Sequence, residues 1–334
     1  MRLFDAHSHM HLGQSGLVIP SAAEQIPFAF DGAAIMSTAP CDYDKVDAVV
    51  GDLQDRGFRS VPCYGVHPWF LYDVLTSSDG DSDWLNDLRK RLLANPDAIV
   101  GEIGLDGNRW VEVKQSDQST EENIWKRERV LACPMEMQRK AFEEQLVLAA
   151  ELQRPVSIHV VSSWGELFAA FDSVCERMKH KKREDGYNNG NYYDNDNNER
   201  EEERKVDKRR KSQSKKLKLL PPRIYFHAFS GKLGLLPSIR SACKKGNIPF
   251  EDVYFGFPPA IKNFYSPKTP KIMKEVGLRH LLLETDLEDA TSAWDDLKTG
   301  VNGIAEALQI SESDVARETC ANAHRFYFDT TEDD

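Results

Sequence analysis

The chain has 334 residues, of which 40% are hydrophobic and 29% charged, with a formal net charge of −11. That balance suits a globular protein with a large core and a well-solvated surface. No apolar run approaches the roughly 18 residues needed to cross a bilayer, which excludes a membrane-spanning chain. An acidic body repels nucleic-acid backbone at long range, so any chemistry on nucleic acid must rest on a local site that holds cations, not on a broad basic face.

In chain order, short β-branched and aliphatic runs alternate with longer helical patterns, as in repeated βα units around a parallel sheet. Eight runs are predicted strands: Leu3 to His9, Ala33 to Ser37, Ser60 to Val66, Ala98 to Leu105, Pro155 to His159, Arg223 to His227, Val253 to Phe257 and Leu281 to Asp286. Apolar residues at three- and four-residue spacing predict helices over Tyr43 to Arg56, Trp84 to Ala94, Met135 to Leu152 and Trp164 to Met178. A last helix opens at Ser311, with Asp314 placed for a capping box and Ala316, Cys320, Ala323 and Phe326 as its buried stripe. Length alone suggests about two domains, but single α/β barrels of about 250 residues or more are routine. The expectation is one (β/α)8 TIM-barrel domain over residues 1–334.

Two segments interrupt the pattern. Residues 180–220, from His180 to Leu220, are Asn-rich and then charged, and are expected to form a disordered insertion because they bury too little surface to offset their ordering entropy. Within it, Arg204 to Lys218 carries nine basic residues against Asp207 alone. The run Lys208 to Lys211 with Lys215 and Lys216 reads as a bipartite nuclear localisation signal, a tether for nucleic acid, a contact for a protein partner or a solvated tail. The smaller segment, Gly107 to Leu131, follows the fourth strand and reads as a lid over the barrel mouth or an elongated loop. Six cysteines are scattered singly without a CxxC pair, and the opening MRLFDAHSHMHL has no leader pattern. Both fit a cytoplasmic or nuclear chain. Oligomeric state leaves no signal.

Histidines and carboxylates fall at the C-terminal ends of the predicted strands. His7 and His9 alternate to the same side of the first strand. Glu102 lies inside an apolar run, where an unpaired carboxylate costs heavily and a bound cation would remove that cost. His159, His227 and Asp286 each close an apolar strand. Singly, each has an ordinary explanation in a hydrogen bond or a helix cap. The ordered set of six, at five strand ends, points to a metal centre. His67, in GVHP, is read as a substrate contact at the mouth or a structural hydrogen bond, and not as a ligand. Trp69, Trp164 and Phe229 follow strand ends and either stack on bases or pack the rim.

With those residues in hand, the chain resembles the TatD family of metal-dependent deoxyribonucleases. The resemblance rests on DAHSH at the start, GVHP at 65–68, GEIGLD at 101–106, QRKAFEEQLVLAAELQRPVSIH at 138–159, HAFSG at 227–231, LLLETD at 281–286 and NAHRFY in the last helix. It implies one cation held by His7, His9 and Asp286, a second held by His159 and His227, and Glu102 bridging the two. Such cations, about 3.5–4 Å apart, activate a water that attacks a phosphodiester, with Asp286 as ligand and general base. Four imidazoles favour zinc or manganese, while the resemblance allows magnesium. The chain departs from the family pattern at Val161, where an arginine is common, at His11, where Asp is usual, and at Ala228, in place of a common Cys. Three readings follow: a deoxyribonuclease acting from strand ends, a hydrolase of the same barrel type acting on another ester or amide, and a binding or scaffold protein with a vestigial site.

Overall fold

The structure, a computed structural model, describes residues 1–13, 27–76, 83–116, 125–188 and 218–328. Its strands are β1 (Arg2–Ser8), β2 (Ala29–Met36), β3 (Arg59–Tyr64), β4 (Ile99–Asp106), β5 (Trp110–Ser116), β6 (Trp125–Leu131), β7 (Val156–Val161), β8 (Ile224–Phe226), β9 (Val253–Gly256) and β10 (Leu281–Leu282). All except β5 and β6 form one eight-stranded sheet whose neighbours pair in parallel and in chain order. Each of the eight predicted runs supplies one of its strands. First and last segments meet through backbone hydrogen bonds from Ala6 to Leu283 (2.8 Å), from Asp286 to His7 (2.9 Å) and from His9 to Leu287 (2.9 Å). The result is a nearly closed TIM barrel.

The strands are buried on both faces, which is why they read as continuous apolar runs. Phe4, Ala34, Met36, Val61 and Cys63 belong to a cluster that fills the lumen, whereas the alternate positions Leu3, Ala33 and Ile35 pack outward against helices. Those helices are α1 (Tyr43–Asp55), α2 (Leu71–Thr76), α3 (Trp84–Ala94), α4 (Met135–Leu152), α5 (Trp164–Asn188), α6 (Leu236–Lys245), α7 (Thr269–Val276), α8 (Ala290–Leu308) and α9 (Glu312–Tyr327). None is long and apolar enough to cross a membrane, among the described residues.

Helix α9 closes the barrel floor. Ser311 caps it by accepting from the Asp314 backbone N–H (3.1 Å). Cys320, Ala323, Phe326 and Tyr327 enter the lumen cluster beside Phe4, Tyr225 and Tyr254. Asn322 donates to the Leu278 and Leu281 carbonyls at 2.9 and 2.7 Å, and Tyr327 donates to the Ala6 carbonyl.

The polar stretch is narrower than predicted at both ends. Helix α5 runs past Met178 to Asn188, supported by the ion pair between Lys179 and Glu176 (2.8 Å) and by the contact of Lys181 with Glu151. At the other end Leu219 and Leu220 are buried, and the Leu219 N–H bonds the Gly246 carbonyl (2.8 Å). An apolar pair outweighed the charged residues before it. The remainder of the stretch, with its basic run, lies outside the described residues. The segment after β4 is a β-hairpin, with β5 and β6 paired antiparallel from Trp110–Leu131 to Ser116–Trp125.

Candidate metal centre

The site lies at the C-terminal end of the barrel, where loops are free to vary over a rigid set of strand ends. Glu102 on β4 is its centre. One carboxylate oxygen, Oε2, faces His7 Nε2 (3.3 Å) and His9 Nε2 (3.1 Å). The other, Oε1, faces His159 Nδ1 (2.9 Å), His227 Nε2 (2.5 Å) and His67 Nε2 (3.3 Å). Asp286 Oδ1 stands 3.7 Å from both His7 Nε2 and His9 Nε2 and 3.9 Å from His227 Nδ1. Its backbone is in the left-handed region (φ 58°), which Asp tolerates better than most residues and which turns the chain out of the strand direction at the mouth. All six predicted ligands are therefore brought together.

The imidazoles are oriented from behind. His9 Nδ1 donates to the Met36 carbonyl (2.9 Å), His7 Nδ1 bonds Ser157 Oγ (3.1 Å) and His159 Nε2 bonds Asp106 Oδ2 (3.2 Å). Each bond leaves the other ring nitrogen turned toward Glu102. Ligating histidines are arranged in this way, the outer bond fixing tautomer and ring direction. His7 and His227 stack with ring centroids 3.8 Å apart. His227 Nδ1 is buried without a hydrogen-bond partner among the described residues.

Divalent cations fit this donor set. His7 Nε2 and His9 Nε2 face each other at 3.3 Å, and His159 Nδ1 and His227 Nε2 at 3.2 Å, in a buried space where a cation or a shared proton satisfies the converging lone pairs. Within 4.8 Å, donor atoms group as His7, His9 and Glu102; as His7, His227 and Asp286; and as His67, Glu102 and His159. Burial opposes charge on Glu102, yet the imidazoles around it hold its carboxyl well below the usual carboxylate range. Against the same burial, Glu102 holds His9 up at about 9, and Asp106 with Glu102 holds His159 up at about 9. Burial dominates at His67, pushing it down to about 4, so that ring is neutral at physiological pH.

A cavity of about 200 Å³ opens above these groups, with Thr38, Trp69, Phe70 and Glu288 on its walls. Trp69 is 42% exposed; its indole N–H donates to Asp106 (2.7 Å) and the Arg109 guanidinium lies 4.6 Å from its ring centroid. Trp164 and Phe229 instead pack edge to face, 5.3 Å apart, as rim residues.

The TatD related DNase family profile matches residues 4–328. The chain belongs to this family. The Cut9-interacting protein scn1 of Schizosaccharomyces pombe is 24% identical over 341 residues, covering 87% of this chain and 90% of that one. The barrel is similar to those of an uncharacterized amidohydrolase from Saccharomyces cerevisiae (TM-score 0.61, 12% identity, 98% and 99% of the two chains) and a TatD family hydrolase from Entamoeba histolytica (0.59, 15%, 98% of each). A TatD homologue from Escherichia coli aligns with TM-score 0.58 at 18% identity over 98% of each chain.

Three residues outside the predicted set support this TatD site. Asp106 lies four positions after Glu102 on β4, on the same side, with Gly104 between them. A Cβ at Gly104 would stand 1.9 Å from the His159 carbonyl oxygen, so glycine allows β4 and β7 to approach. Asp5 accepts from the His7 N–H (3.2 Å), the Thr285 N–H (3.0 Å) and the Thr285 hydroxyl (2.7 Å), joining the first and last ligand segments. Glu284 accepts from the Ala228 N–H (2.8 Å) and the Tyr225 hydroxyl, holding the loop after His227. The spacing of acids in GEIGLD was the available signal for Asp106. His11 is buried and bonded to Asp42 (3.2 Å), and Val161 offers no charge.

Proposed function

We propose that this TatD-family chain is a metal-dependent hydrolase that cleaves phosphodiester bonds of DNA. The observation that carries the reading is the division of Glu102, with one oxygen toward His7 and His9 and the other toward His159 and His227. His7, His9 and Asp286 would hold one cation, His159 and His227 a second, and Glu102 both. Bound there, divalent cations lower the pKa of water and steady charge on the attacked and leaving oxygens.

The remaining work falls to the protein. Asp286 is the more accessible of the two site carboxylates, its side chain 16% exposed against 3% for Glu102, so it is placed to take the proton of the attacking water. The water oxygen bonds phosphorus, the phosphorus–oxygen ester bond breaks, and the leaving oxygen takes up a proton. His67 accepts from the Trp69 N–H at Nδ1 (3.2 Å) and turns Nε2 to Glu102 (3.3 Å), so this neutral ring on the cavity wall would meet the substrate by contact and add no charge. Trp69 and Phe70 present exposed rings at the mouth on which bases can stack. A cavity of about 200 Å³ admits a phosphoryl group and its nearest sugar, which favours a flexible strand end over a continuous duplex.

A hydrolase of another ester or amide is the second reading, favoured by the absence of Lys and Arg from the cavity walls among the described residues. The S. pombe relative is named for an interaction with Cut9, which keeps a protein partner as a further role. The deciding test measures metal content of the purified chain and degradation of single-stranded and duplex DNA with added Mg²⁺, Mn²⁺ or Zn²⁺. Glu102→Ala is expected to lower cleavage by about 100-fold or more. Bound metal without DNA cleavage would transfer the assignment to another ester or amide; neither metal nor cleavage would leave a binding protein.

A further inference from the structure

At the opposite end of the barrel from the metal centre, three side chains of different donor type converge. Asp31, near the start of β2, and Cys320, on α9, are buried, while His324, one helical turn further on, is half-buried. Asp31 Oδ2 lies 2.6 Å from His324 Nε2 and 3.8 Å from Cys320 Sγ, and the sulfur is 3.7 Å from the same nitrogen. A tetrahedral zinc ion, with bonds of about 2.3 Å to sulfur and about 2.0–2.1 Å to nitrogen and oxygen, places sulfur roughly 3.6 Å from its N and O partners and those two roughly 3.4 Å apart. Both sulfur separations already match. Only the His324–Asp31 hydrogen bond has to open.

The surroundings hold these donors in place. Arg2 bonds the other Asp31 oxygen, Oδ1, at 3.0 Å, leaving Oδ2 as a single donor with the outer hydrogen bond that ligating carboxylates carry. The His324 ring stands edge to face against Phe4 (6.3 Å) and Phe328 (5.7 Å). Cys320 and His324, spaced i and i+4, share one face of α9. The His324 side chain, 25% exposed, provides an entry path. Strand β2 separates this cluster from Met36 at the other end of the barrel by about 16 Å, so it is no part of that centre.

We propose that Asp31, Cys320 and His324 form a second, zinc-type metal site on the barrel floor, with solvent completing the coordination. Burial pushes the Cys320 thiol up to about 12, so without metal it keeps its proton. On capture the S–H bond breaks, a sulfur–metal bond forms and that proton passes to water; Nε2 of His324 likewise gives its proton to water, Nδ1 keeping or taking up the ring's one remaining proton, and its freed lone pair replaces the hydrogen bond to Asp31 with a bond to the metal. The ion then fastens α9 to β2.

Cobalt(II) added alone to the purified full chain tests this, because thiolate coordination gives a near-ultraviolet charge-transfer band and none of the donors at the barrel mouth is sulfur. The expected result is a band in the wild-type chain that is lost in Cys320→Ala and in His324→Gln, each variant also binding one equivalent less zinc. Should Cys320→Ala fail to fold, His324→Gln at the half-buried position carries the same readout. No band in the wild type, or a band undiminished in the folded variants, overturns the assignment.

Discussion

Asp106 does for His159 what the Met36 carbonyl does for His9. It accepts from His159 Nε2 (3.2 Å) and from the Trp69 indole (2.7 Å), which leaves His159 Nδ1 facing Glu102. Removing the charge while keeping the shape should loosen that orientation, so Asp106→Asn is expected to cost about 10–100-fold in metal affinity or activity. Metal titration of the folded variant checks it, and unchanged affinity would mean that the ring is oriented by other contacts. The six donors were legible because each places a polar group inside or at the end of a run that is otherwise apolar. Asp5 was not, since its work is to hold Thr285, and the pairing of first and last strands has no local signature. The approach of His67 to Glu102 (3.3 Å) was hidden for the same reason: GVHP places the ring at the mouth without saying what it faces.

Among the elements, β4 and β7 make the tightest demand on the site. A methyl group at Gly104 would meet the His159 carbonyl oxygen at 1.9 Å, forcing apart the strands that carry Glu102 and His159. Gly104→Ala is therefore expected to destabilise the fold by about 1–3 kcal/mol, the usual range of overpacking, and to weaken metal binding as well. Urea unfolding with and without added metal separates the two effects; a variant of wild-type stability would show that the strands can part freely. The eight barrel strands were legible as runs buried on both faces. The hairpin was not, although WVEVKQS and KRERV alternate in part, because so polar a sequence lacks the apolar contrast that marks the others. The continuation of α5 into residues that look unstructured rests on its apolar face ending only at buried Met178, with ion pairs carrying the next turns.

At the scale of the whole molecule, the last helix is part of the core. Ending the chain at Ile310 would uncover Phe4, Tyr225 and Tyr254 at the floor, and such a truncation is expected to aggregate and to lose its near-ultraviolet circular dichroism. A soluble truncation with native spectra would show that the barrel closes without α9. Binding only to the folded state also links metal to stability. A metal at about 100 times its dissociation constant adds roughly 2.7 kcal/mol, so for a chain of this length chelation should lower the melting temperature by about 4 °C. A melting curve indifferent to chelator would argue that the mouth donors hold no cation.

The closing seam between the first strand and the last has a consequence for how the protein is born. His7 and His9 leave the ribosome well before Asp286, whose backbone N–H bonds the His7 carbonyl. A nascent chain, a product of interrupted translation or an amino-terminal fragment that stops before Asp286 thus carries some of the six donors but not all of them. Assembly of the six-donor site therefore waits on the last strand, and a copy cut short before it lacks the full set.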